Sequence, residues 1–436
     1  MPRDTRPAAP GPFTLDPTAA DHFGEAARMR AAGPVVRVVL PGDVPAWLII
    51  RHDAVAELLA HREVSKDWRN WAALADGTVP ADWPLLGMFK VDNMVYADGD
   101  DHLRLRRPVV KVFTPARVAA MGSGIENIVD GLLDHLPRKA DADCVVDLRA
   151  HFAEQVPLTV ICDLVGVPHD WRPLLAGLVQ RLFDTTLTAG EAAHIQHARY
   201  HLLRDLVLLR RTEPADDITT ALIALCDNDT NASTDEKNTQ AEDAKTLSAE
   251  ELVDTLWLLL TAGYETTASL LANASLALLA HPGQLRAARD GGPDMWPRVV
   301  EESLRRNAPV GNFPARYPLT DITIAGTAIP AGDLVLAGYS SAGRDTDRHG
   351  PDADAFDIHR SAAKHLAFGG GPHLCLGAHL ARLQATVALP ALFSRYPRLA
   401  LAAEPGSLPP LKSLFANSAA RVPVRLGAPA RRTSEP

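Results

Sequence analysis

Apolar residues recur at three- and four-residue intervals through much of the chain, as in "GIENIVDGLLDHL" and "YHLLRDLVLLRR". That period lines one face of a helix. Short β-branched runs are fewer: "VVRVVL" and "AWLIIR" near the start, and "ITIAGTAIPAGDLVLAGY" between Ile322 and Tyr339. Ala-Gly and Pro-Ala-Gly stops divide the last run into strands. The pattern predicts a mainly α fold with a minor β portion.

The longest helix is predicted in "SAEELVDTLWLLLTAGYETTASLLANASLALLAH". Ser248 and Glu251 have capping-box spacing at its start, and Pro282 ends it after His281. At ~1.5 Å per residue it spans on the order of 50 Å. It is apolar nearly all round, which predicts a buried central helix. Its middle, "TAGYETT", breaks the pattern with a glycine, an acid and two threonines. The polar, aperiodic stretch from Cys226 to Lys245 reads as a mobile surface connection, and "APARRTSEP" as an unstructured tail.

With 436 residues and 47% hydrophobic content, the chain can bury a large core, which excludes global disorder. A net charge of -9 without a basic stripe argues against nucleic acid as a partner. Cys144, Cys162, Cys226 and Cys375 form no CxxC pair, so neither a disulfide framework nor a zinc site is expected. They suit a reducing cytoplasm. The opening "MPRDTRPAAPGPFTL" has no apolar core fit for a signal or anchor, and no apolar run reaches about 18 residues. A soluble, cytoplasmic protein without a membrane span is expected.

The stretch "HLAFGGGPHLCLGAHLAR" places Cys375 after a run of glycines and before a helix. Glycines let a backbone pass close to a flat ligand. A helix beginning at the cysteine aims its positive end at the sulfur and favours thiolate. Phe368, Gly369, Gly371, His373, Cys375 and Gly377 fit F-G-x-G-x-H-x-C-x-G. This resembles the haem-binding loop of cytochrome P-450 monooxygenases. The resemblance implies the cytochrome P-450 fold, with a long central helix over haem b (iron protoporphyrin IX), small antiparallel sheets, and Cys375 as the axial ligand of the iron.

Three further motifs carry the same resemblance. Glu302 and Arg305 in "VVEESLRRNAP" stand one helical turn apart. Alone, such a pair is an ordinary surface feature worth about a few tenths of a kcal/mol. It resembles the family's E-x-x-R pair, which implies that it locks with Arg360 of "FDIHR" to hold the cysteine loop. "AGYETT", Ala262 to Thr267, resembles the signature of the helix above the haem. There Gly263 would let the helix deform to admit oxygen, Thr266 would hydrogen-bond oxygen or water, and Glu265 would relay protons from solvent. His102 and Arg106 in "DHLRLRRPVVKVFTP" resemble an H-x-x-x-R pair that holds haem propionates together with His373 and Arg316. Pro108 inside this helix should remove a bond and bend it. Gly343 is a departure, standing where an asparagine is more usual.

The resemblance spans 13–426, read as a single domain, with disordered tails at 1–12 and 427–436. "VSKDWRNWAAL", "TVPADWPLLGMF" and "AGYETT" look most like family 154 of the P-450 nomenclature or its macrolide-oxidising neighbours. It implies a monooxygenase that inserts one atom of O2 into a hydrophobic small molecule: a steroid, a polyketide macrolactone or an aromatic natural product. Electrons would come from a ferredoxin and its reductase, docking near Arg104, Arg107 and Lys111, and a monomer is the default. By analogy the substrate pocket takes in Leu259, Ala262, Thr267, Val310, Phe313, Leu414 and Phe415, and the segment from Trp68 to Met94. The alternatives are a haem-thiolate peroxygenase, against which the retained Glu265-Thr266 pair counts, and a non-catalytic haem sensor or carrier.

Overall fold

The computed structural model describes residues 11–232, 247–361 and 364–430. Most of the polar connection after Cys226 and of the two terminal tails lies outside them. The helix Ile218–Ala232 runs past Cys226, so the start of that connection is helical. At the other end the Ala430 N–H still donates to the Arg395 carbonyl at 2.9 Å, beyond the expected boundary.

The predicted long helix is Ala249–Ala280. Its cap is reciprocal: Glu251 N–H donates to Ser248 Oγ at 3.1 Å, and Ser248 N–H donates to Glu251 Oε2 at 2.7 Å. The apolar sequence explains its place, since every side needs a neighbour. Helices Gln155–Val165, Met295–Arg306 and Ala378–Arg395 pack around it. Leu256, Leu260, Ala268, Leu271 and Leu278 lie in one continuous core with them.

The helix Ala249–Ala280 continues through Gly263. The glycine also has a packing reason. A Cβ there would stand 2.8 Å from Ile161 Cδ1, so a side chain at this position would need Ile161 to move aside.

The main sheet has six strands in the order Phe13–Thr14, Val35–Leu40, Val44–Ile49, Val335–Gly338, Asn312–Pro318, Val64–Ser65. Most neighbours are antiparallel, as expected. Phe13–Thr14 beside Val35–Leu40 and Val44–Ile49 beside Val335–Gly338 are parallel. The second of these joins segments far apart in sequence, which a hairpin turn cannot pair. A register shift interrupts Asn312–Pro318 between Phe313 and Arg316, where Ala315 has φ +63°. A bulge of this kind re-aims the side chains that follow it, here Arg316.

Helix Gly99–Val112 continues through Pro108, which leaves the Arg104 carbonyl without its usual helical donor. Gly343 has a local cause: a Cβ there would fall 1.8 Å from the Arg305 carbonyl oxygen. No helix among the described residues is long and apolar enough to cross a membrane.

Candidate active site

Cys375 lies between a 3₁₀ turn, Gly371–His373, and the helix Ala378–Arg395. The sequence reading starts this helix at the cysteine. It begins three residues later because Gly377 takes the cap position. The N–H groups of Gly377 and Ala378 are thereby turned on the Cys375 sulfur. The Cys375 N–H donates to the Phe368 carbonyl at 3.0 Å and closes the loop. Gly369 and Gly371 have φ of +71° and +64°, and a Cβ on Gly371 would stand 2.6 Å from the Leu59 carbonyl oxygen.

Cys375 is reached by solvent on one side and crowded by protein on the others. That crowding pushes its thiol up, while the two N–H groups and the charges of Arg106 and Arg382 pull it back. Arg106 does not point with the other expected propionate ligands. Its Nη2 donates to the Leu374 carbonyl at 3.0 Å, just before the cysteine.

Glu302, Arg305 and Arg360 come together as expected. Arg305 meets both Glu302 oxygens at 2.7 Å. Its remaining hydrogens go to the carbonyls of Gly343, Ala353 and Ala355 at 2.6, 2.7 and 2.9 Å. All five guanidinium donors are used. Arg360 Nε stands 3.6 Å from Glu302, and its other nitrogens bind Asp352 and the His349 carbonyl. A second clamp joins the same helix to the cysteine helix: Glu301 accepts from Arg382 at 2.6 Å and pairs with His365 at 3.0 Å. Arg382 lies 4.5 Å from the centre of the Phe368 ring.

His102, Arg316 and His373 line one cavity of about 740 Å³, with Lys66, Tyr96 and Asp98. His102 Nε2 and Arg316 Nη1 are buried and have no partner. The His102 and His373 rings lie 4.3 Å apart, and His373 Nε2 stands 3.6 Å from Asp98. Burial, followed by nearby cations, lowers both histidines, His373 to about 4 despite its bond to Asp98. Lys66 is also buried, its ammonium 4.2 Å from the Phe313 ring centre, and burial beside Arg316 takes its pKa well down. Buried cations and donors without partners fit a ligand that brings its own carboxylates. The haem propionates are such groups, so the residues present fit haem. Cys375 and Thr266 do not line this polar cavity.

On the central helix Ala262 is exposed midway along, between the buried Thr261 and Tyr264. Thr266 Oγ1 donates to the Ala262 carbonyl at 2.6 Å. Glu265 is turned into the protein. Its Oε1 accepts from Arg149 Nη2 at 2.7 Å and from Ser269 Oγ at 2.9 Å, and it is only 3% exposed.

The expected pocket residues divide. Leu259, Val310 and Phe313 are partly open, whereas Thr267, Leu414 and Phe415 are buried. Phe415 belongs to an aromatic cluster with Trp71, Trp83, Phe89 and Tyr317, so part of the segment before Met94 is core. Arg149, Glu154, Glu301, His365, Arg382 and Lys66 belong to no motif in the sequence. Arg149 did leave a signal, as a charge within the largely apolar "VVDLRAHFAEQV".

The Cytochrome P450 family model matches residues 295–412. The 2-hydroxy-5-methyl-1-naphthoate 7-hydroxylase of Streptomyces carzinostaticus is 38% identical over 95% of this chain and 97% of its own length. The vitamin D(3) 25-hydroxylase of Pseudonocardia autotrophica is 38% identical over 92% of this chain and 93% of its own. Testosterone-bound CYP154C4 from Streptomyces sp. ATCC 11861 superposes with a TM-score of 0.89 at 36% identity, covering 97% of this chain and 100% of that one.

Proposed function

The chain belongs to the cytochrome P450 family of haem monooxygenases, and we propose that it hydroxylates a ring-based hydrophobic natural product: a steroid, a polyketide macrolactone or an aromatic compound. The observation that carries the reading is Cys375, which takes two backbone N–H groups at the start of a helix and opens to one side. When bound, haem supplies activation of O2, and a thiolate ligand pushes electron density that favours O–O cleavage.

The residues divide the remaining work. Cys375 would hold the iron, with Gly377 and Ala378 N–H groups and Arg106 stabilising its thiolate. Phe368 takes the Cys375 N–H on its carbonyl. His102, Arg316 and His373 would hold the propionates through donors that otherwise lack partners. Glu302, Arg305 and Arg360 fix the chain entering the loop. Thr266 Oγ1 would turn from the Ala262 carbonyl to hydrogen-bond oxygen or water, and Glu265 would bring it protons.

Leu259, Ala262, Val310 and Phe313 supply a largely apolar wall for substrate. The named compounds of the two relatives and of CYP154C4 are built on carbon rings, which supports a ring-bearing hydrophobic substrate. A ferredoxin and its reductase are the fitting electron source for a cytoplasmic monomer of this type. Arg107 and Lys111 are exposed for docking, whereas Arg104 is committed to Asp101 and Glu251.

Optical titration of the ferric haem protein with steroids, macrolactones and aromatic natural products tests the substrate class. A low-to-high-spin Soret shift with one class, followed by its hydroxylation under electron supply, is expected. A normal thiolate spectrum with no shift from any of the three would overturn the substrate assignment and leave the family chemistry intact.

A further inference from the structure

A buried ion triad, Arg149 with Glu154 and Glu265, lies against the central helix. A single π turn, Arg149–Ala153, leads into helix Gln155–Val165, and the Glu154 N–H donates to the Arg149 carbonyl five residues back. This places the Arg149 and Glu154 side chains together, and π turns are frequent at functional sites. Arg149 Nε meets Glu154 Oε1 at 2.9 Å, while its Nη2 meets Glu265 Oε1 at 2.7 Å. These two nitrogens form one edge of the guanidinium, so both carboxylates stand side by side on it.

The triad is buried but not sealed. The side chains of Arg149 and Glu265 are 2% and 3% exposed, and that of Glu154 is 12% exposed. Arg149 Nη1 also donates to Ser418 Oγ at 3.0 Å. Gln180 Nε2, from the helix Arg172–Leu182, donates to Glu154 Oε2 at 3.0 Å and to Tyr264 Oη at 3.1 Å. Two carboxylates and one guanidinium would leave a net negative charge in the interior, which burial opposes. One shared proton removes it.

We propose that Glu154 is a positioning residue that loads Glu265 with protons, receiving each on its solvent-reaching side and passing it across the edge of Arg149. The step balances simply. The Glu154 O–H bond breaks, an O–H bond forms on the Glu265 carboxylate, and Glu154 is left ionised until water reprotonates it. Arg149 then pairs with the new Glu154 carboxylate, so one cation always faces one anion. A neutral Glu265 loses its charge-assisted bond to Arg149 and is released to turn towards Thr266, the next residue.

Burial, then the neighbouring Glu265 and Asp147 charges, raises Glu154 to about 7 against the pull of Arg149. Tyr264 and Gln180 are the other polar groups facing it, and neither is charged near neutrality. The inference rests on the reading of Glu265 and Thr266 as the proton route.

The test uses the haem-loaded enzyme, with substrate and electron donors, and its Glu154→Gln and Glu154→Asp variants. In the parent, product formed per electron should fall as pH rises through about 7. In Glu154→Gln it should be several-fold lower, flat across that range, and carry a larger solvent deuterium isotope effect. Glu154→Asp should keep an inflection. Independently of turnover, infrared pH-difference spectra of the parent should show a protonated carboxyl band lost near that pH and missing from Glu154→Gln. A Glu154→Gln enzyme with the parent's pH inflection, or with the band intact, overturns the proposal. Should Glu154→Gln fail to fold, loss of the inflection in a folded Glu154→Asp enzyme, or absence of the band from the parent, overturns it equally. Thr266→Ala separates the two readings. Unchanged coupling there removes the proton route itself, whereas uncoupling there with an unmoved Glu154→Gln profile removes Glu154 alone.

Discussion

Thr266 Oγ1 donates to the carbonyl of Ala262 at 2.6 Å, one turn back, while Glu265 beside it is held by Arg149 at 2.7 Å. The two side chains of the proposed proton route therefore start apart, each satisfied by another partner. A hydroxyl bonded to its own helix can be lent to a ligand at little cost, because either partner satisfies it.

Thr266→Ala should accordingly keep haem and fold but divert electrons from product to hydrogen peroxide, while Thr266→Ser stays close to the parent. Measuring electrons consumed, product and peroxide together checks this. Full coupling in Thr266→Ala would show that the hydroxyl takes no part.

Arg316→Ala should act with opposite signs on the two forms of the protein. Haem retention should weaken by about 1.5–3 kcal/mol, the worth of a hydrogen bond to a charged group. The haem-free protein should be as stable as the parent or more so, since Arg316 Nη1 is a buried donor without a partner. Haem transfer to an acceptor apoprotein and thermal unfolding of the apo form give the two readings.

Arg305→Leu should cost about 3–5 kcal/mol in denaturant unfolding, because Glu302, 5% exposed, would be left as a buried charge whose nearest cation is Arg360 at 3.6 Å. Arg305→Lys should rescue little of it. One ammonium cannot reach Glu302 and the carbonyls of Gly343, Ala353 and Ala355 together. A Lys variant with parental stability would refute the geometric argument.

Glu301 carries a pH dependence. Burial would raise its carboxyl, but the bonds from His365 and Arg382 outweigh that and hold it at about 2, below its ordinary 4.5. A depressed folded value stabilises the protein above the unfolded one, and the contribution is lost as pH falls from 4.5 through about 2. Glu301→Gln should therefore be less stable than the parent at neutral pH. The gap should be modest, since the Glu301 side chain is 41% exposed, and should close by pH 2. Unfolding midpoints across that range measure it, and a gap independent of pH would contradict the assignment.

The sequence by itself determined whatever depends on near neighbours along the chain. The Ser248–Glu251 cap, the Glu302–Arg305 pair and the Phe368–Gly377 loop each lie within one short segment, so spacing alone places their side chains together. Apolar periodicity did the same for the central helix, because a helix apolar on all sides must be buried. Tertiary structure decided what depends on residues far apart. Arg149 and Glu265 are 116 positions apart, and nothing in either segment selects the other. Arg106 donates to the Leu374 carbonyl 268 positions away, and Leu414 and Phe415 pack into a core with Trp71, Trp83 and Phe89, contacts that only the fold brings together. Gly263 and Gly343 show both levels in one residue. The chain records that no side chain is present, and only the tertiary structure places the Ile161 side chain against the first and the Arg305 carbonyl against the second.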